Sequence, residues 1–482
     1  MELEEIKHQT IRSIIALQGR TILLQTISLV SFLFLGIFLS PSAVGIFISV
    51  SALQRIFTFF TDLGLGAALV QKKEEIDDLD LKTTFTIQEI IMVLIVAIGL
   101  VITPNIARFA NLDSNGTNLY IVLVITLFIS SLKAIPSILL ERKLAFEKQV
   151  IPQIFESLAF NIIVVALAYK GFGVASYSWA ILTSALIGLP IYYYLSPWKI
   201  AFGISLPHAK KLFSYGLAYQ GKNVLAVIKD DLLTFFLARL VGTAGVGYWG
   251  WAQRWAYSPF RLVVDSVTKV TFPAYARIQH DKEALKSGIE KSLFAVSVIL
   301  FPILAIFSVL IGKIIPLIPR YEKWQPALPS FYFLAAGAAV SGLSNILVNA
   351  LDATGRVKTT LGLMIIWIIL TWGLTLSLIA RFGFSGVAAA SFLVTLTIVV
   401  TIKLVKKIVP FSFLGSIWQP VFSTLVMLAL LFFLSAKLPT GYLSLVLLAT
   451  VGVIIYVGIL VLTAKNKLTA NIQTILRAYG KT

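Results

Sequence analysis

Cysteine is absent from this chain of 482 residues. That excludes disulfide staples, thiolate metal sites and thiol catalysis. Histidine is scarce: His8, His208 and His280 stand far apart in polar stretches, a poor basis for a histidine metal centre. Charge is thin too, at 13% of residues, where soluble domains carry about a quarter. No stretch is long and polar enough to form a separate soluble domain. The acidic start, Met1-Glu2-Leu3-Glu4-Glu5, has no short apolar core with a cleavage site, so it does not read as a secretory signal peptide.

What fills the chain is apolar sequence, 58% of residues, in runs that recur from end to end. Taking roughly 20 apolar residues per crossing, the chain reads as an all-α polytopic membrane protein with about 14 transmembrane helices. Helices are expected because a backbone facing lipid must satisfy its own hydrogen bonds, and short alternating barrel segments are missing. The net charge of +18 points to anionic lipid headgroups, not to nucleic acid. Lys and Arg gather in alternate loops. One side holds Arg142, Lys143 and Lys148, Lys210 and Lys211, Lys282 and Lys286, and Lys403, Lys406 and Lys407. The other has only Arg108, Lys170, Arg239, Arg320, Lys323, Arg381 and Lys437. The basic side is expected to be cytoplasmic, and with it both termini.

The chain also echoes itself. Leu17–Phe47 aligns with Tyr219–Trp249 without a gap: Gln18-Gly19-Arg20 with Gln220-Gly221-Lys222, Leu23 with Leu225, Leu35 with Leu237, and Val44-Gly45 with Val246-Gly247. A duplication in the same chain direction predicts two pseudo-symmetric six-helix lobes. The expected boundaries are 1–200 for the first lobe, 201–410 for the second, and 411–482 for two added C-terminal helices and a tail. Ser196–Lys211 would link the lobes.

Charges inside apolar spans cost free energy and so call for a reason. On the eighth span (Val246–Tyr275), Arg254, Arg261 and Asp265 are seven and four residues apart and share one helical face. The second span (Val44–Val70) carries Arg55 and Asp62, again seven apart. The seventh (Leu212–Leu240) carries Lys222 and Lys229, followed by Asp230 and Asp231. Such groups either line a cavity or lock helices together as ion pairs. As a lining they favour an anion with an apolar portion, because guanidinium donates paired hydrogen bonds to phosphate or pyrophosphate. Lys133 and Glu156, on the fourth and fifth spans, read better as an inter-helix pair. Asn345, Asn349 and Asp352 on the tenth span offer oxygens for a coupling ion, a weaker pattern because Asp352 also opens a turn. Gly216 to Asn223 almost spells a phosphate-binding loop, but Asn223 stands where Ser or Thr is needed and no strand precedes it. No catalytic motif or cofactor-binding signature is apparent, so the chain does not read as an enzyme.

Three segments resemble the amino-terminal signature of Wzx-type polysaccharide flippases, members of the multidrug/oligosaccharidyl-lipid/polysaccharide exporter superfamily. They are Gln18-Gly19-Arg20, the break Ser40-Pro41-Ser42-Ala43-Val44-Gly45-Ile46-Phe47, and Asp62-Leu63-Gly64-Leu65-Gly66-Ala67-Ala68-Leu69-Val70-Gln71. The resemblance implies V-shaped lobes around a cationic cavity and alternating access. It also implies a cargo of undecaprenyl-pyrophosphate-linked sugar repeats, moved from the cytoplasmic to the outer leaflet of the inner membrane for O-antigen or exopolysaccharide assembly. Expected partners are that lipid-linked oligosaccharide and membrane lipids, with a polysaccharide polymerase and a chain-length regulator as further candidates and no nucleic acid. No family residue maps onto Arg254 or Arg261, whose role rests on the shared helix face. Two other readings remain: a cation-coupled multidrug exporter, which would favour acidic helices, and a glycan polymerase or ligase, which would need a large outer loop.

Overall fold

The computed structural model describes residues 3–62, 64–72, 74–210 and 224–479. Among them every regular element is a helix. Twelve helices are long and apolar enough to cross a membrane. Of the fourteen expected spans, the two outside that set are the seventh and the eighth. The seventh runs through residues outside the described segments, and the eighth carries the arginines that lower its apolar character.

Contacts divide the chain into two compact units, 1–247 and 248–482. The first contains α1 (Leu3–Phe38), α2 (Pro41–Asp62), α3 (Leu65–Gln71), α4 (Asp78–Val101), α5 (Thr103–Phe109), α6 (Ser114–Ser131), α7 (Ala134–Arg142), α8 (Phe146–Tyr169) and α9 (Ala175–Leu195). Here α8 packs on α1 and α9, and α6 packs on α4, α2 and α9. The expected second span breaks at Gly64, whose φ of +75° is reached most readily by glycine. The expected fourth span breaks at Leu132 and Lys133, between α6 and α7.

After the link comes a π-helical turn, Val227–Leu232, which packs against α2. It runs into α10 (Leu233–Ile278), kinked at Gly242, where φ is +72°. Beyond residue 247 follow α11 (Lys282–Leu317), α12 (Leu328–Ala353), α13 (Val357–Phe382), α14 (Phe384–Thr395), α15 (Ile398–Lys406), α16 (Phe413–Lys437) and α17 (Tyr442–Tyr479). In this unit α11 is central, packing on α12, α16 and α17.

The echoed segments meet inside the first unit. A side chain on Gly45 would collide with the Thr243 carbonyl, and one on Gly247 with the Pro41 carbonyl. Gly45 lies four residues after Pro41 and Gly247 four after Thr243, so the two contacts carry the same offset as the repeat (247 − 45 = 243 − 41 = 202). The Ser42 and Thr243 hydroxyls join the crossing at 2.6 Å. Small residues permit such approach, the main route to tight helix association in lipid.

The link is docked. The Gly203 and Ser205 amides donate to the Thr86 and Thr83 hydroxyls of α4 at 3.0 and 3.1 Å. Phe85 meets Trp198 and Phe202. The start of α4 is closed by a reciprocal cap between Asp77 and Asp80, which Lys72 joins.

Candidate functional site

The eighth span is anchored before its charges begin. Trp251 is fully buried, stacks on Trp324 with centroids 5.5 Å apart, and donates from Nε1 to the Tyr321 hydroxyl at 3.2 Å. Trp255 packs edge-on to Phe307. Further along, Thr268 donates to Asn345 Oδ1 at 2.9 Å, and Asn349 donates to Thr271 at 2.7 Å. These contacts fix the rotation of α10 against α11 and α12. With that rotation Arg254 is half-buried, while Arg261 and Asp265 are exposed.

Two turns of helix set the α-carbons of Arg254 and Arg261 about 10 Å apart along the axis. Arg261 lies within electrostatic reach of both Arg254 and Asp265. Among the described residues, however, neither Arg261 nor Asp265 forms an ion pair. An exposed arginine on an apolar helix faces water or a ligand, because facing hydrocarbon would cost several kcal/mol. The arrangement suits an elongated anion that accepts hydrogen bonds from both guanidiniums.

The remaining expected residues behave differently. Arg55 pairs with Asp231 of the π-helical turn, Nε to Oδ1 at 2.5 Å, rather than with Asp62 on its own helix. Asp62 closes α2, and its side chain lies outside the described residues, as does all of Lys222 together with the loop-like Gly216 to Asn223. Lys229 pairs with its neighbour Asp230 at 3.2 Å. Asn345 and Asn349 face α10, whereas Asp352 accepts from Thr360 at 2.7 Å on another helix, so the three do not converge on one point. Lys133 and Glu156 form the inter-helix pair expected from the sequence, with Gly188 leaving room for the carboxylate and the Tyr192 ring beside the ammonium.

Sequence reasoning passed over two features. The π-helical turn has no signature in composition. Asp77, Asp80 and His208, distant in sequence, come together with donor atoms within 4.8 Å of one another. Those donors are already engaged: the two aspartates cap α4, Lys72 holds Asp80, and His208 Nδ1 lies 2.6 Å from the Ser205 hydroxyl. The cluster ties the link to the helix start.

Residues 34–329 match the family described as Polysaccharide biosynthesis protein. The chain belongs to that family. Its curated relatives include the succinoglycan biosynthesis transport protein ExoT of Rhizobium meliloti (strain 1021), 24% identical over 345 residues, 68% of each chain. Another is the probable flippase AglR of Haloferax volcanii, 26% identical over 396 residues, 78% of this chain and 80% of that one. Among solved structures, the lipid II flippase MurJ in an inward closed conformation superposes with a TM-score of 0.75 at 15% identity, covering 94% of this chain and 99% of that one. The family thus has here a fold shared with MurJ, all-helical and multi-pass.

Proposed function

We propose that this protein is a flippase carrying undecaprenyl-pyrophosphate-linked oligosaccharide repeats from the cytoplasmic to the outer leaflet of the cell's inner membrane. Family membership supports the setting in polysaccharide biosynthesis. The observation that carries the cargo class is the Arg254–Arg261 stripe on an apolar helix, with Arg261 held by no carboxylate among the described residues. Pyrophosphate is the part of such a cargo that a planar, permanently charged fork binds best. The apolar tail stays in lipid and the sugars cross in water.

The lobes at 1–200 and 201–410 would alternate access, with both termini cytoplasmic, and a polymerase and chain-length regulator would take the product. Cells lacking the protein are expected to strand lipid-linked repeats in the cytoplasmic leaflet, as read by side-specific labelling of extracted intermediates. Normal outer-leaflet repeats would overturn the reading. Orientation has its own test. Single cysteines placed in this cysteine-free chain should react with an impermeant thiol reagent from outside at 320–324 but not at 282.

A further inference from the structure

Glu89 lies in the middle of α4, an apolar membrane-crossing helix, with only 6% of its surface exposed. Among the described residues, neither carboxyl oxygen has a hydrogen-bond partner. The preceding Gln88 is also buried, with its Oε1 unmatched. Two groups from other helices face the carboxyl: Ser131 at the end of α6 and Tyr193 on α9. Both hydroxyls are directed elsewhere. Ser131 donates to the Phe128 carbonyl at 2.7 Å, and Tyr193 to the Leu132 carbonyl at 2.9 Å.

Cations on the other elements packed against α4 are engaged or remote. Lys133 at the start of α7 holds Glu156, Arg142 at its end donates to the Leu69 and Lys72 carbonyls, Arg55 on α2 holds Asp231, and Lys72 after α3 holds Asp80. Arg108 on α5 lies beyond the far end of α4, which is about 18 Å from Glu89 along the helix. α6 has no charged residue along its length. Among the described residues, a carboxylate here would be a buried charge with no hydroxyl turned squarely toward it and no counter-charge beside it, the arrangement that proteins avoid by keeping the proton on.

The site also sits at a break. Ser131, Leu132 and Lys133 form the junction of α6 and α7, where a small movement would turn the Ser131 hydroxyl, or admit water, toward the carboxyl. In such a state the carboxylate becomes tenable. Proton occupancy and the arrangement of the junction are then linked, and each biases the other.

We propose that Glu89 is the proton-binding carboxyl through which a proton gradient drives transport, an inference that rests on the transport reading above. A proton from one aqueous face adds to a carboxylate oxygen, and the same proton leaves to the opposite face after the junction has rearranged. No other group changes its bonding.

The test uses the full-length chain in lipid vesicles and the membrane-permeant reagent dicyclohexylcarbodiimide, which modifies protonated carboxyls in apolar surroundings. Peptide mapping by mass spectrometry is expected to find Glu89 modified, with labelling that declines as pH rises, and Glu156, paired with Lys133, unmodified. Glu89→Gln keeps the volume and the neutral form. It should remove the label, leave the melting temperature unchanged and abolish the response of flipping to an imposed pH gradient. Glu89→Asp should retain part of that response. If Glu89→Gln does not fold, Glu89→Asp and labelling of the native chain decide the matter. Absence of label at Glu89 at every pH, or a wild-type gradient response in Glu89→Gln, overturns the proposal, as does transport driven by sodium with no effect of pH. Labelling requires no cargo, so its outcome stands apart from that of the stranded-repeat experiment.

Discussion

Charges within apolar helices are treated differently in the two units. In residues 1–247, Arg55 meets Asp231, Lys229 meets Asp230, and Lys133 meets Glu156. In residues 248–482, Arg261 and Asp265 sit one turn apart on an apolar helix and form no ion pair among the described residues. Pairing within a membrane protein holds helices in register, and removing one partner leaves a stranded charge. On the proposed reading, an arginine left open is retained for something that arrives from outside the fold. The difference separates scaffold from binding surface more sharply than the presence of charge does.

The largest effect is expected where the first unit has no freedom to adjust. Gly45→Leu and Gly247→Leu would each drive a side chain into the carbonyl of the facing segment. Overpacking of this kind costs up to about 3 kcal/mol even where neighbours can shift. Here the neighbour is backbone, so folded yield should collapse. Gly362→Ala, with open space around it, should be neutral or slightly stabilising in the same assay.

Breaking a pair comes next. Glu156→Ala should destabilise the purified protein by up to about 3 kcal/mol, since it strands the largely buried Lys133 without its partner. The double change Lys133→Met with Glu156→Leu should recover most of that loss. Recovery by the double change is what distinguishes a scaffold pair from a substrate contact, because a contact would lose transport regardless.

Arg261 should show the opposite pattern. Arg261→Ala is expected to lower flipping at least 30-fold, the equivalent of about 2 kcal/mol or more for a truncated charge contact. Its melting temperature should stay close to the parent's. Arg261→Lys should restore transport in part, since an ammonium keeps the charge and loses the paired geometry. A large loss of stability in Arg261→Ala, relieved by also changing Asp265→Ala, would place Arg261 with the scaffold pairs and erase the contrast between the units. Arg55→Ala belongs between the two classes: its side chain is 54% exposed, so about 1 kcal/mol or less is expected.

The smallest effect concerns pH. The Asp80 amide donates to Asp77, which holds that carboxyl below its ordinary value, with His208 and Lys72 adding to the effect. A carboxyl whose folded value is depressed contributes stability above the unfolded value, near 3.9. That contribution disappears as pH falls through the lower, folded value. Hydrogen exchange at the start of α4 should therefore speed up only on acidification below about pH 4. Asp77→Asn, which keeps an acceptor at the cap, should flatten that dependence.

Much of the fold was legible from residue types alone. Apolar runs of membrane-crossing length set the spans, whereas the break at Gly64 inside the expected second span was not read from the sequence. Opposite charges on successive spans, Lys133 and Glu156, were readable as a pair because each is the lone ion in its stretch. Arg55 was less legible. Asp62 lies seven residues away on the same helix, and only folding could show that Asp231, 176 residues distant in sequence, is the partner. Glu89 gave no signal, since a lone acidic residue in an apolar run discloses neither its burial nor its neighbours before the chain folds.

The sequence by itself determined that this chain lives in a membrane, that it repeats, and that the face of its eighth span carries two arginines. Those properties follow from local chemistry: hydrophobic length, periodicity and the alternation of basic loops. Tertiary structure decided which charges neutralise one another, that Gly45 and Gly247 cross reciprocally, and that Glu89 is buried without a donor. Each of these depends on distances between residues far apart in the chain, and a charge is paired or open only with respect to what folding places beside it.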